Sequence, residues 1–153
     1  MNSKTICFAC CAAMLTVNIG NSSEQCGRMT NSTSVCNSIA TNLTRSVGFS
    51  TWYSRKSCRH EGTGGKNILM ANGKLLDDSA MTCAIWNIPF GRKLRVRNLD
   101  NGRTVIVTVT DRGPGKRSRS RGVIVDLTEA AMRELAGEEG IKQGRVRVEL
   151  EDA

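Results

Sequence analysis

A carboxylate at the end of a run of alternating valines is well placed to do chemistry. Residues 103–110 set Val105, Val107 and Val109 on one face of an extended chain, and Asp111-Arg112-Gly113-Pro114 follows directly. An aspartate leaving a strand into a Gly-Pro turn lies at the rim of a sheet or barrel, where a ligand can reach it. Partly desolvated, it can give and take protons near neutral pH. The alternative is that it bonds its own turn backbone and does nothing else. Just beyond it, Gly115 to Gly122 holds Lys116, Arg117, Arg119 and Arg121, the densest basic run in the chain. That run is a solvated loop or an attractor of anionic polymer.

The frame for these residues is one domain, since the chain has 153 residues. Hydrophobic residues at 39% and charged residues at 24% suit a protein with a buried core. Twenty-two Lys plus Arg against 14 Asp plus Glu give +8, which favours anionic or neutral partners. Residues 6–17 form the longest apolar run, shorter than the ~18–20 residues of a membrane span. Behind Lys4, this run reads as the hydrophobic part of a secretory signal over residues 1–22, so the mature chain is expected to be secreted or periplasmic. No nucleic-acid-binding module is visible and the chain is exported, so nucleic acid is not an expected partner despite the charge.

Residues 23–46 are rich in Asn, Ser and Thr without an aromatic, as in a tether. Removing the signal leaves Cys26, Cys36, Cys58 and Cys83, an even number suited to disulfides, with three pairings open. His60 is the only histidine and no C-x-x-C occurs among the four, so no metal and no cofactor are expected.

From residue 47 the pattern is that of strands. Residues 93–97 alternate strictly, residues 103–110 and 145–150 do the same, and residues 123–125 make a shorter, fully buried strand. Asn101-Gly102 predicts positive φ angles and a tight hairpin between the first two. One helix is predicted over residues 129–136, with Thr128 as its N-cap and Gly137 as its stop. Short strands with one helix imply a small closed or half-closed barrel over residues 47–151.

Gly48-Phe-Ser-Thr-Trp52-Tyr53, Ala71-Asn72-Gly73, Thr82-Cys83-Ala84, Pro89-Phe90-Gly91, Asn101-Gly102-Arg103, Asp111-Arg112-Gly113-Pro114 and Val125-Asp126-Leu127-Thr128 occur in an order and spacing that resembles the RlpA-like (rare lipoprotein A) domains. The resemblance implies a mainly β fold, a six-stranded double-psi β-barrel with one short helix in its C-terminal half. This architecture is shared with expansin N-terminal domains and barwin. It also implies a monomeric peptidoglycan lytic transglycosylase, a lyase that cuts between N-acetylmuramic acid and N-acetylglucosamine and leaves a 1,6-anhydro end. The alternative it allows is a non-catalytic, expansin-like module that binds cell-wall glycan.

Carried over by position, the family's catalytic aspartate falls on Asp111, which would serve as acid and then as base. The family's acidic residue after Ala-Asn-Gly falls on Lys74, and the histidine of its Thr-Ala-Ala-His motif falls on Ile85. Trp52, Tyr53 and Trp86 are candidates to stack on sugars, and Arg112, Lys116 and Arg117 to hold the polymer. Cys58 and Cys83 are expected to pair, stapling the inserted Arg55 to Lys66 loop to the barrel. Asp126 and Asp77 are reserve carboxylates, with Asp126 suited to a structural place at the helix start.

Overall fold

Alternation of apolar and charged residues builds the wall of a barrel. On β3 (Lys93–Asn98) the side chains of Leu94, Val96 and Asn98 are buried while Lys93, Arg95 and Arg97 are exposed. On β4 (Thr104–Asp111) Val105, Val107 and Val109 point inward, and on β6 (Arg145–Asp152) Val146, Val148 and Leu150 do so. β1 (Ser46–Tyr53), β2 (Thr82–Ala84) and β5 (Val123–Thr128) complete the set. The structure, a computed structural model, describes residues 45–62 and 67–153. The expected signal peptide, nearly all of the expected tether, and Cys26 and Cys36 lie outside the described residues.

Among the described residues the six strands close in the order β1-β5-β2-β4-β3-β6. β1 runs parallel to β5 and β2 parallel to β4, while the other neighbours are antiparallel. This is the double-psi β-barrel. Its interior is filled by Cys83, Leu94, Val107, Val109, Val125, Leu127 and Val148, each fully buried, and Met132 and Leu135 seal one side. Burial of each Val or Leu contributes about 1.5–3 kcal/mol, so the valine alternation is what holds the wall closed.

Helical structure exceeds the expectation of one helix. α1 (Arg55–His60) starts at a reciprocal cap that the sequence carries as Ser-x-x-Ser. The Ser54 hydroxyl accepts from the Ser57 N–H at 3.3 Å, and the Ser57 hydroxyl accepts from the Ser54 N–H at 2.9 Å. α2 (Lys116–Arg119) winds the basic run into a single turn rather than an open loop. α3 (Glu129–Gln143) continues past the predicted stop: Gly137, at φ 66° and ψ −166°, breaks the helical path without ending the segment, which closes at left-handed Gly144. The β3–β4 connection spans residues 99–103, and only Gly102 takes a positive φ there, so it is a wider loop than the tight Asn-Gly hairpin predicted. Asn98 and Asn101 side chains organise it by accepting from the Asp100 and Arg103 N–H groups, each at 2.8–2.9 Å.

Two further expectations are corrected. Thr128 is the N-cap residue of α3 as expected, but its side chain bonds no N–H of the helix; the hydroxyl instead donates to the Ala80 carbonyl at 2.6 Å and accepts from the Thr82 N–H at 3.3 Å. Cys58 and Cys83 are not joined. Cys83 is fully buried within the core, whereas Cys58 is half-buried on α1.

Thr128→Val keeps the shape but removes the hydroxyl's bonds to the Ala80 and Thr82 backbone, leaving the Ala80 carbonyl and the Thr82 N–H only their mutual bond of 3.0 Å. Urea unfolding is expected to show a loss of about 1–3 kcal/mol, with Thr128→Ser retaining most of the stability.

Candidate active site

The end of β4 departs from strict alternation, and that departure makes the site. Cys83 pairs with Val109, but the next residue of β2, Ala84, pairs with Asp111, so Thr110 is an extra residue on β4. Regular alternation would put Asp111 on the same inward face as Val109. The bulge turns it onto the outer face, beside Ala84. Ala84 is in turn the partner of Asp126 on β5, and Asp126 is the partner of Thr51 on β1. One row therefore crosses four strands as Thr51, Asp126, Ala84 and Asp111. The two carboxylates flank the smallest side chain in the row, their backbones two strand spacings or about 9–10 Å apart.

Asp111 is buried and anchored. Its Oδ1 accepts from the Ala71 N–H and from the Arg112 N–H, both at 2.8 Å. The first of these draws the Ala71-Asn72-Gly73-Lys74 turn onto the end of β4, where the Asn72 N–H also bonds the Thr110 carbonyl at 3.2 Å. Among the described residues Oδ2 accepts no hydrogen bond. Burial holds this carboxyl above its ordinary range, against the downward pull of the two N–H groups and of Arg112.

Asp126 is half-buried and accepts a short hydrogen bond from the Thr51 hydroxyl on Oδ1. Burial pushes its carboxyl up to about 6; the Thr51 bond opposes this, and the charges of Asp111 and Glu61 add to it. Gly113 is what lets the turn after Asp111 close over this group, because a β-carbon there would meet Asp126 Oδ2 at 2.9 Å and Ala84 Cβ at 3.1 Å. The Gly113–Pro114 peptide bond is cis.

Tyr53, two residues beyond Thr51 on the same face of β1, completes the cluster. Its hydroxyl is buried and has no hydrogen-bond partner among the described residues. Burial raises the phenol, as do the charges of Asp111, Cys83, Asp126 and Cys58.

Trp86 joins the site by its edge. Its indole N–H donates to the Pro114 carbonyl at 2.8 Å, and the Arg119 guanidinium stands 5.3 Å above the ring, so an aromatic face and α2 lie beside the turn after Asp111. Lys116 and Arg117 are exposed on that same turn of helix.

Two sequence candidates are held elsewhere. Trp52 faces away from Asp111; its indole N–H bonds the Ile141 carbonyl of α3 at 3.2 Å and its ring packs on the core. Arg112 clamps the β2–β3 connection by donating to the Ile85 and Ile88 carbonyls at 3.1 and 2.9 Å. Its guanidinium stacks 3.7 Å from the centre of the exposed Phe90 ring, which is therefore a platform for Arg112 rather than a core residue.

Ile85 is buried, its N–H bonded to the Asp111 carbonyl at 3.2 Å, and Lys74 is exposed. Asp77 bonds Ser79 and is likewise exposed. Asp126, expected to be structural at the helix start, stands in the same row as Asp111. The signal for it was present: Val125 and Leu127 alternate inward, which leaves Asp126 outward in the same strand. Among the described residues no three His, Cys, Asp or Glu side chains gather as a metal site requires.

Residues 45–150 match the family described as lytic transglycolase. The endolytic peptidoglycan transglycosylase RlpA of Pseudomonas aeruginosa is 38% identical over 107 residues, 70% of this chain and 27% of that protein. A probable endolytic peptidoglycan transglycosylase RlpA of a Nostoc species is 39% identical over 92 residues, 60% of this chain and 23% of that protein. The chain thus spans about a quarter of the length of these relatives. Among solved structures, the Streptomyces papain inhibitor aligns with a TM-score of 0.51 at 24% identity, covering 72% of this chain and 94% of its own. An expansin of Clavibacter michiganensis aligns with a TM-score of 0.51 at 21% identity, covering 72% and 50%. These two share the fold.

The raised carboxyl of Asp126 has a consequence for stability. Below about pH 4 the group is protonated in both folded and unfolded chains; between about pH 4 and its folded value of about 6, the folded chain holds the extra proton. Stability from this group is therefore lost as pH rises through that window. Asp126→Asn is expected to be more stable than the natural chain at pH 7 and to lose the difference by pH 4, as read from the pH dependence of thermal midpoints of the two proteins side by side.

Proposed function

The chain belongs to the lytic transglycolase family, and from that premise we propose that it cleaves the glycan strands of peptidoglycan between N-acetylmuramic acid and N-acetylglucosamine, leaving a 1,6-anhydro end. The observation that carries the reading is the pair of outward carboxylates on either side of Ala84, both raised by burial. Unequal environments divide their roles. Asp126, with its carboxyl up to about 6, is the proton donor to the glycosidic oxygen as the C1–O bond breaks. Asp111, whose Oδ1 is fixed by two N–H groups, takes the proton of the C6 hydroxyl as that oxygen closes on C1. Solvent returns the proton from Asp111 to Asp126, and no water enters the product.

In this reading the single-residue cycle suggested by the sequence becomes a two-carboxylate one. Thr51 orients Asp126, and Tyr53 lies close enough for the charges of both carboxylates to act on its buried phenol. Trp86 offers a sugar its ring face, and Lys116 and Arg117 draw the anionic polymer toward the turn after Asp111. The substrate places the chain's work in the cell wall, outside the cytoplasm.

A second reading is favoured by Ile85. Where the family has an imidazole, a buried hydrocarbon stands beside Asp111, and the same groove without proton chemistry is a glycan-binding module. A mutant of the Clavibacter expansin has been solved in complex with cellohexaose, which gives the shared fold a precedent for holding a glycan.

Incubation with purified sacculi, followed by mass spectrometry, is expected to yield anhydro-muramoyl ends. Asp111→Asn and Asp126→Asn should each lower turnover by at least ~10²-fold while binding to sacculi persists. Binding without any anhydro product from the natural chain would establish the second reading instead.

A further inference from the structure

Three buried side-chain oxygens have no hydrogen-bond partner among the described residues, the hydroxyls of Tyr53, Thr82 and Thr110. All three stand next to the carboxylate row. Tyr53 lies two residues beyond Thr51 on β1, Thr82 two residues before Ala84 on β2, and Thr110 directly before Asp111 on β4. Buried hydroxyls are ordinarily paired, so orphans gathered at one place point to a ligand that supplies the missing partner.

Of the three, Tyr53 has the side chain long enough to reach the reacting groups. It rises on the outer face, since Trp52 between it and Thr51 turns to α3 and the core. Its partner on β5 is Thr128, whose hydroxyl is committed to the backbone of Ala80 and Thr82. The charges of Asp111 and Asp126 both act on the phenol, and Asp111, three strands along the barrel from β1, is the stronger of the two. The ring therefore reaches from β1 across β5 toward the end of β4.

Asp111 meets it with the complementary lack. Its Oδ1 is filled by the Ala71 and Arg112 N–H groups, and its Oδ2 accepts no hydrogen bond among the described residues. An unfilled donor and an unfilled acceptor in one cluster, not bonded to each other, suit one oxygen that accepts from the first and donates to the second. A sugar hydroxyl does both. Tyr53 as a residue is half-buried and borders the groove, while its hydroxyl is screened from bulk water, so the donor is dry before substrate arrives.

We propose that Tyr53 is a catalytic residue that donates a hydrogen bond to the C6 hydroxyl oxygen of the sugar while Asp111 Oδ2 takes that hydroxyl's proton. The inference rests on the transglycosylase reading above and goes beyond it by naming the group that stabilises the charge developing on this oxygen. The proton passes to Asp111 as the O6–H bond breaks, and O6 closes on C1 as the glycosidic C1–O bond breaks. The phenol keeps its own proton throughout. Burial raises it well above its ordinary value, so the donor is present at every pH near neutrality.

Tyr53→Phe removes the hydroxyl and nothing else. On solubilised glycan strands kcat is expected to fall by about 10²-fold with KM little changed, the scale of one donor lost from a developing oxyanion. The thermal midpoint should stay the same or rise, because the hydroxyl has no bond among the described residues to lose. An undiminished kcat would overturn the proposal, as would a loss of activity that accompanies a lower thermal midpoint and is restored by assay at lower temperature.

If the natural chain yields no anhydro product, the transglycosylase reading fails and binding decides the role of Tyr53 separately. The probes are a GlcNAc–MurNAc oligosaccharide and its analogue lacking the muramic 6-hydroxyl, each titrated into the natural and Tyr53→Phe chains. The natural chain is expected to bind the 6-hydroxyl form about fivefold more tightly, the scale of one hydrogen bond, and Tyr53→Phe to lose most of that preference. Equal affinity of the natural chain for the two sugars, or a preference unchanged in Tyr53→Phe, would overturn it.

Discussion

Everything at the site depends on one extra residue where β4 meets β2. Thr110 has no partner in the β2–β4 register, and because of it Asp111 faces outward beside Ala84 rather than inward behind Val109. Inward, the carboxylate would be an unpaired charge in a core of valines, a cost of several kcal/mol that no fold of this size can absorb. Outward, it meets the Ala71 N–H, and that bond brings in the Ala71–Lys74 turn as a wall for the site. The same bulge leaves the Thr110 hydroxyl buried without a hydrogen-bond partner among the described residues, a local cost borne for the position of its neighbour.

β2 is the second constraint. It has only three residues, yet it separates two eight- and six-residue strands that carry the carboxylates. Cys83 must fill the core and Ala84 must leave room between Asp111 and Asp126, so neither position tolerates a larger side chain without pushing the row apart. Thr128 holds this short strand in place through bonds to Ala80 and Thr82, which explains why the N-cap residue of α3 is fully buried and its side chain bonds no N–H of the helix.

The barrel wall was legible from the chain because period-two burial is a local property: Lys93 to Arg97, the three valines of β4 and the end of β6 declare their inward faces without reference to anything distant. Asp111 was legible for the same reason, as a polar residue ending such a run. What could not be read locally depends on partners far away in sequence. Asp126 becomes a site residue through Ala84 and Thr51, and Trp52 becomes a packing residue through the Ile141 carbonyl. Arg112 is turned to structural use by the Ile85 and Ile88 carbonyls. The bond expected between Cys58 and Cys83 is not made, and an even number of cysteines carries no information on where each thiol lies.

A chain with eight excess positive charges would be expected to hold its carboxylates ionised, yet the two at the site are raised. The placement of the arginines resolves this. Arg112, adjacent to Asp111 in sequence, spends its donors on two backbone carbonyls and its face on Phe90, so only a residual field reaches the carboxylate. Arg119 faces the Trp86 ring, and Arg145 the Phe49 ring. These three cations are held on aromatic faces or carbonyls instead of on Asp111 or Asp126. Positive charge thus stays around the row without forming the ion pair that would pin a carboxylate in its ionised state, and burial prevails at Asp111 and Asp126.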